Sequence, residues 1–229
     1  MLVTEFPSNP LLNCHDLHQL RSLANQYNFA LIIDDTIGNF ANIDLLKSGI
    51  ADIVSTSLTK LFNGRGDAIA GSIITSEVTA MGKEINSIFR KEHSETELHD
   101  SDVSAVLYNS KDFLERSTAI NRSAEELADW LRQNDDILQV YYPKFTQPKL
   151  YKKMTNRRIP ENLHTPGFGG LLSIVLNQDL CPMKFYDNLD VAKGPSLGTN
   201  FTLVCPYTLL GKFMMEPLCS VESLKCYTV

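Results

Sequence analysis

Two short apolar runs without alternation, ALIID at residues 30–34 and DIVST at 52–56, constrain this fold more than any other feature of the chain. A strand with one wet face alternates apolar and polar residues. An unbroken apolar run belongs to a strand covered on both faces, as in a parallel sheet packed between helices. The segment before the first run has helical spacing. Asn13 is expected to cap a helix that places Leu17, Leu20, Ala24 and Tyr27 on one face, with Asp16 at its third position. A short helix through Leu45 and Leu46 is expected to stop near Gly49. A third apolar run, AIAGSII at 68–74, is followed by Val78, Met81, Ile85 and Ile88 at helical spacing.

The polar stretch 91–102 reads as a solvated loop, and the periodic stretch 103–134 as one long helix or two separated by a kink. Strands are expected at 137–142 and 169–176, with a polar, irregular connection between them. Helices and strands that alternate in this way indicate an α/β protein.

The balance of 21 basic and 27 acidic residues gives a net charge of −6 without basic blocks, which excludes a nucleic-acid backbone as an expected partner. No apolar run approaches the roughly 20 residues that cross a bilayer, so no membrane span is expected and the chain reads as cytoplasmic. Five scattered cysteines fit reduced thiols, and the five histidines lack the spacing of a metal site, so no metal is expected.

The chemistry concentrates in STSLTKLFNGRGDAIAGS at 55–72, directly after the second run. Lys60 stands there with Ser57 and Thr59 before it and Gly64 and Gly66 after it. An amine, two hydroxyls and a permissive backbone are what is needed to hold a phosphate beside a carbonyl that condenses with the amine. The alternative at this point is a lysine exposed at a turn. Asp34 ends the first buried run, where an ionised carboxylate is costly without a positive partner, and a protonated pyridine nitrogen would be one. Asp34 could instead cap the next turn, and Asp35 could be the carboxylate that points inward. No GxGxxG follows the first strand, so a dinucleotide is poorly supported.

Six segments in order carry a resemblance: TEFPSNP (4–10), LIIDDT (31–36), STSLTKLFNGRGDAIAG (55–71), NRSAEELADWLRQNDDILQVYYP (121–143), GGLLSIVL (169–176) and AKGPSLGTN (192–200). The chain resembles the pyridoxal-phosphate-dependent enzymes of cysteine and methionine metabolism, the trans-sulfuration family, and within it most nearly the fungal cystathionine gamma-synthases. The resemblance extends to about residue 208. It implies the aspartate-aminotransferase-like fold of type I, a large cofactor domain with a mostly parallel sheet and a smaller C-terminal α/β domain. On that basis residues 1–102 are expected to be the C-terminal portion of the large domain, and 103–229 a connecting helix with the small domain.

The same resemblance implies roles for individual residues. Lys60 matches the lysine that holds pyridoxal phosphate and moves protons on the substrate. Asp34 matches the aspartate at the pyridine nitrogen, and Ser57 and Thr59 the hydroxyls on the cofactor phosphate. Asn9 matches the asparagine near the cofactor oxygen and substrate carboxylate, and Ser196 a serine near that carboxylate. The implied chemistry is gamma-replacement on an activated homoserine ester by cysteine, on the route to methionine, by dimers or tetramers acting on small amino acids.

There are departures too. The asparagine motif stands close after Met1, so the N-terminal half of the family's cofactor domain, with its aromatic and phosphate-loop contributions, is expected to be missing from these residues. No arginine follows Arg158 to grip a substrate carboxylate, and Arg65 and Gly66 stand where the family commonly has a histidine and a serine. The expectations from these departures are an incomplete site, unpaired edges on the strands at 30–34 and 52–56, and, as the alternative function, a catalytically inactive homologue serving as a partner subunit.

Overall fold

A computed structural model describes residues 1–92, 98–208 and the backbone of 226–228. The first sheet has the order β1 (Leu2–Glu5), β2 (Leu31–Asp34), β3 (Ile53–Ser57), β4 (Gly71–Thr75). The first three strands are parallel and β4 is antiparallel to β3. The apolar runs are therefore the inner strands, and the expectation that they carry unpaired edges is corrected. The neighbour that sequence reading missed is β1, four residues long and ending in a charged residue. The third run forms a strand only from Gly71, because Ala70 is bonded to the turn after β3.

One sheet face is closed. Leu31, Ile33 and Val54 pack with Phe6, Ile43, Leu45, Tyr151, Met154 and the inner side of α1 (Leu17–Tyr27), which contributes Leu17 and Ala24. α1 begins later than expected. Asp16, not Asn13, is its cap: the carboxylate accepts from the His18 and Gln19 amides at 3.1 and 3.2 Å. Asn13 instead closes the preceding turn, its carbonyl accepting from the Ser8 amide. Residues 44–49 form a hydrogen-bonded turn and not a helix, pinned where the Asp44 carboxylate accepts the Lys47 amide and where Gly49 takes a φ of +72°.

The stretch 91–102 is not one loop. α2 (Ala80–Glu92) runs into it and α3 (Asp100–Asn109) starts inside it, while 93–97 lie outside the described residues. The long periodic segment is two helices, α3 and α4 (Phe113–Leu131), with the break at 110–112. α4 packs Ala124, Ala128 and Leu131 against β5 (Ile137–Tyr141) and β6 (Ser173–Leu176), an antiparallel pair that β9 (Cys226–Thr228) extends. The connection between β5 and β6, read as irregular, contains two short helices, α5 (Pro143–Thr146) and α6 (Pro148–Lys153), each opening on a proline. A further helix, α7 (Pro182–Asn188), precedes the two-residue parallel pair β7 (Ala192–Lys193) and β8 (Leu203–Val204).

Phe168 packs against both apolar clusters, and a buried amide network joins the same regions. Asn42 and Asn121 exchange side-chain hydrogen bonds of 3.0 and 2.7 Å, and Asn39 donates to Ser117 at 3.0 Å. Polar groups so far from water must be paired, so this network fixes the turn after β2 against α4.

A second buried polar anchor lies at the base of the sheet. Asp52 is fully buried and accepts from Arg21 Nη1 at 2.8 Å and from the Leu31 amide at 2.7 Å, tying α1 and β2 to the start of β3. Removing the carboxylate strands a mostly buried guanidinium and an amide. Asp52→Ala is expected to cost about 3–5 kcal/mol in urea unfolding; a loss below about 1 kcal/mol would show that the pair contributes little.

Candidate functional site

The C-terminal ends of β1, β2 and β3 lie side by side, and their register distributes the polar residues between two faces. Asp34 pairs with Glu5 on one side and Ser55 on the other, so Asp34, Ser55 and Ser57 share the face opposite the closed core. That face also carries Val3 and Ile73, exposed at 59% and 64%. Asp34 is half-buried, and its carboxylate accepts the Thr36 amide at 2.8 Å.

Asp35 points the other way and is 2% exposed. Its carboxyl accepts the Thr56 hydroxyl proton, and across the same strand pair Thr36 Oγ1 accepts the Ser57 amide at 2.8 Å. Burial pushes the Asp35 carboxyl up to about 7, with the Asp34 charge adding and the Thr56 hydrogen bond opposing. The sequence left open which aspartate turns inward; Asp35 does.

β3 runs straight into the turn Leu58–Phe62, in which Lys60 departs from helical geometry with φ −83° and ψ −124°. The turn is closed by the Asn63 amide on Leu58 O and the Gly64 amide on Lys60 O. Thr59 stitches it to the strand that follows: its hydroxyl donates to Ala70 O at 3.2 Å and accepts the Ala70 amide at 2.9 Å. The Ser57 hydroxyl makes no hydrogen bond among the described residues.

Ser196 comes to this turn from far along the chain. Lys60 Nζ donates to Ser196 Oγ at 2.8 Å. Two contacts seat the Ser196 loop: the Asn200 amide donates to Gly64 O at 2.6 Å, and Gly198, at φ +79°, lies so close that a Cβ there would be 2.7 Å from the Leu61 nitrogen and 2.8 Å from Lys60 Cβ. Only glycine fits. The sequence motif was read for its serine; the glycine two residues on is what lets the serine arrive.

Of the predicted residues, the structure joins Lys60 and Ser196 directly and sets Asp34 and Ser57 on one face at neighbouring strand ends. Asn9 is exposed just beyond β1, at the same end of the sheet, with its amide donating to Glu5 Oε2 at 2.8 Å and no hydrogen bond to Lys60 or Ser196. The Thr59 hydroxyl lies in the same turn as Lys60 and donates to Ala70 O. One residue is not singled out by the sequence: Arg116, which lies within the periodic stretch 103–134.

These residues fit pyridoxal phosphate. A primary amine, a carboxylate flanked by parallel strands and a hydroxyl without a hydrogen-bond partner among the described residues lie at one sheet end, where open α/β sheets bind ligands. Known proteins agree with that reading of the fold. Residues 1–208 match the family described as Cys/Met metabolism PLP-dependent enzyme. A cystathionine gamma-synthase of Neurospora crassa is 38% identical over 212 residues, covering 93% of this chain and 33% of that protein. A cystathionine gamma-synthase-like enzyme of Amanita muscaria is 39% identical over 230 residues, covering 93% of this chain and 36% of that protein. The chain thus spans about a third of the length of these relatives. An alanine racemase of Aspergillus violaceofuscus is also similar, 32% identical over 98% of this chain and 40% of that protein. Among solved structures, a cystathionine gamma synthase from Xanthomonas oryzae superposes with a TM-score of 0.80 at 22% identity, over 99% of this chain and 57% of that one, which supports the fold.

The buried Asp35 carboxyl makes stability depend on pH. Between its ordinary 3.8 and about 7 the folded chain keeps a proton that the unfolded chain has released, so the stability due to this group falls as pH rises through that window and is lowest above it. Across about 3 units the loss is on the order of 4 kcal/mol. Urea unfolding at pH 5 and pH 8 should therefore show Asp35→Asn gaining on the parent chain at the higher pH; parallel behaviour of the two would contradict an inward, proton-holding Asp35.

Proposed function

The chain belongs to the Cys/Met metabolism PLP-dependent enzyme family, and from that premise we propose that it is a cystathionine gamma-synthase-like protein, which joins cysteine to an activated homoserine ester by gamma-replacement. Pyridoxal phosphate is the family's cofactor. The observation that carries the reading is the contact between Lys60 and Ser196, two segments 136 residues apart that meet at the strand ends bearing Asp34 and Ser57. The likeness to an alanine racemase shows that family membership alone does not fix the reaction, so the gamma-replacement rests on the names of the fungal relatives.

Each side chain has a task in this reading. Lys60 would hold the cofactor through its amine and would take and return protons at the substrate carbon. Ser196 Oγ receives the Lys60 hydrogen bond and so keeps the amine aimed. Asp34 supplies the negative charge that favours a protonated pyridine nitrogen, and the hydroxyls of Ser57 and Thr59 serve the phosphate. Asn9 and Ser196 orient the substrate carboxylate. When bound, the cofactor draws electrons from the substrate's α-carbon and makes its proton removable.

In this reading residues 1–102 are the portion of the cofactor domain and 103–229 the connecting helix and smaller α/β domain. The whole protein works as a homo-oligomer on amino-acid substrates in the cytoplasm, in trans-sulfuration and methionine biosynthesis. Among the described residues no helix is long and apolar enough to cross a membrane.

The test is to treat the chain with pyridoxal phosphate and borohydride and to map the labelled peptides. Preferential labelling at Lys60, lost in Lys60→Ala, is expected, together with formation of cystathionine from cysteine and an activated homoserine ester. Labelling without turnover would favour a partner subunit that binds cofactor but does not react. A folded chain labelled no more at Lys60 than at exposed Lys47 would overturn the proposal.

A further inference from the structure

The turn that carries Lys60 is too short to hold itself. The carbonyls of Leu61 and Phe62 lie past its own hydrogen bonds, at the point where a longer helix would supply amides. Arg116, in the first turns of α4, supplies them instead. Its Nη1 donates to Leu61 O at 2.6 Å, and its Nη2 to Phe62 O at 3.1 Å and to Asn109 O at 3.0 Å. Its Nε donates to Asp112 Oδ1 at 3.2 Å, which fixes the plane of the guanidinium. The Arg116 side chain is 10% exposed, far less than the 60% of Asp112.

The following residues are shaped around this group. Gly64 has a φ of +76°, and a Cβ there would be 2.4 Å from Arg116 Nη1. Asn109 Nδ2 donates to Asn63 Oδ1 at 2.9 Å and to Asp67 Oδ1 at 3.1 Å, holding the residues on either side. Gly64 O then accepts the Asn200 amide, which anchors the loop that delivers Ser196 to Lys60. A continuous series of contacts runs from Asp112 through Arg116 and the lysine turn to Ser196.

We propose that Arg116 is a positioning residue for Lys60: its guanidinium fixes the lysine turn and, through Gly64 and Asn200, seats the loop that places Ser196 on the Lys60 amine. The planar fork is essential, because it reaches two adjacent carbonyls at once while a lysine ammonium is a single point of charge. The functional meaning rests on the assignment of Lys60 as the cofactor lysine; the clamp itself does not.

The experiment compares the parent chain with Arg116→Lys, Arg116→Met and Asp112→Asn by two readouts. The first is amide hydrogen exchange at Asn200 and Gly64 without cofactor. The second is pyridoxal phosphate and borohydride labelling of Lys60 relative to exposed Lys47 in the same sample. Exchange at Asn200 should quicken about tenfold or more in Arg116→Met, with partial rescue in Arg116→Lys and a smaller effect in Asp112→Asn. The Lys60 to Lys47 labelling ratio should fall in the same order, by about threefold or more in Arg116→Met. A change in global stability alone would move both lysines together and leave the ratio intact. If Arg116→Met does not fold, the other two variants decide. Unchanged exchange at Asn200 in folded Arg116→Lys and Asp112→Asn overturns the clamp. If the parent chain shows no preference for Lys60, the cofactor assignment falls, and the exchange readout still decides the clamp.

Discussion

The site depends on a backbone problem: an inner strand of a mostly parallel sheet ends in a turn with Lys60 outside helical geometry, and the Leu61 and Phe62 carbonyls that follow Lys60 have no helix to satisfy them. Arg116 from α4 answers from one side, and the loop carrying Gly198 and Asn200 closes from the other. Both contributors belong to later parts of the chain than the sheet. The amine of Lys60 is therefore aimed by tertiary structure, and the packing of α4 and of the 196–200 loop is as much a part of the site as the lysine itself.

Three aspartates near the sheet show how register divides labour. Asp34 and Asp35 are adjacent in sequence, yet the pleat sends one to the open face and the other into the core, where the Thr56 hydroxyl meets it. Asp52, at the opposite end of β3, pairs with Arg21 and has no access to the site. One carries its carboxylate on the open face, while the other two hold the strands that present it.

Much of this was legible from residue types. Apolar runs without alternation gave the inner strands, and Lys60 among hydroxyls and glycines, with Asp34 at a strand end, marked the site. The resemblance added Ser196 and Asn9. The illegible parts share a physical cause. β1 is short and half-polar, so it carries no periodic signal. Asp16 and Asn13 are equally good caps by residue type, and only the position of the first helical turn separates them. Arg116 sits at a polar helix position, and nothing local reveals that carbonyls from 55 residues earlier lie within its reach. Thr59 is identified by its hydroxyl, and only the fold shows that this hydroxyl bonds Ala70, the residue just before β4.

The central claim is that the Ser196 loop is seated on the lysine turn. A high-resolution crystal structure of the chain tests it most directly. The account predicts Lys60 Nζ within hydrogen-bond distance of Ser196 Oγ, Gly198 against the backbone of Lys60 and Leu61, and the Asn200 amide on Gly64 O. A loop displaced from the turn, with Lys60 and Ser196 beyond hydrogen-bond reach while the two sheets stay intact, would contradict it.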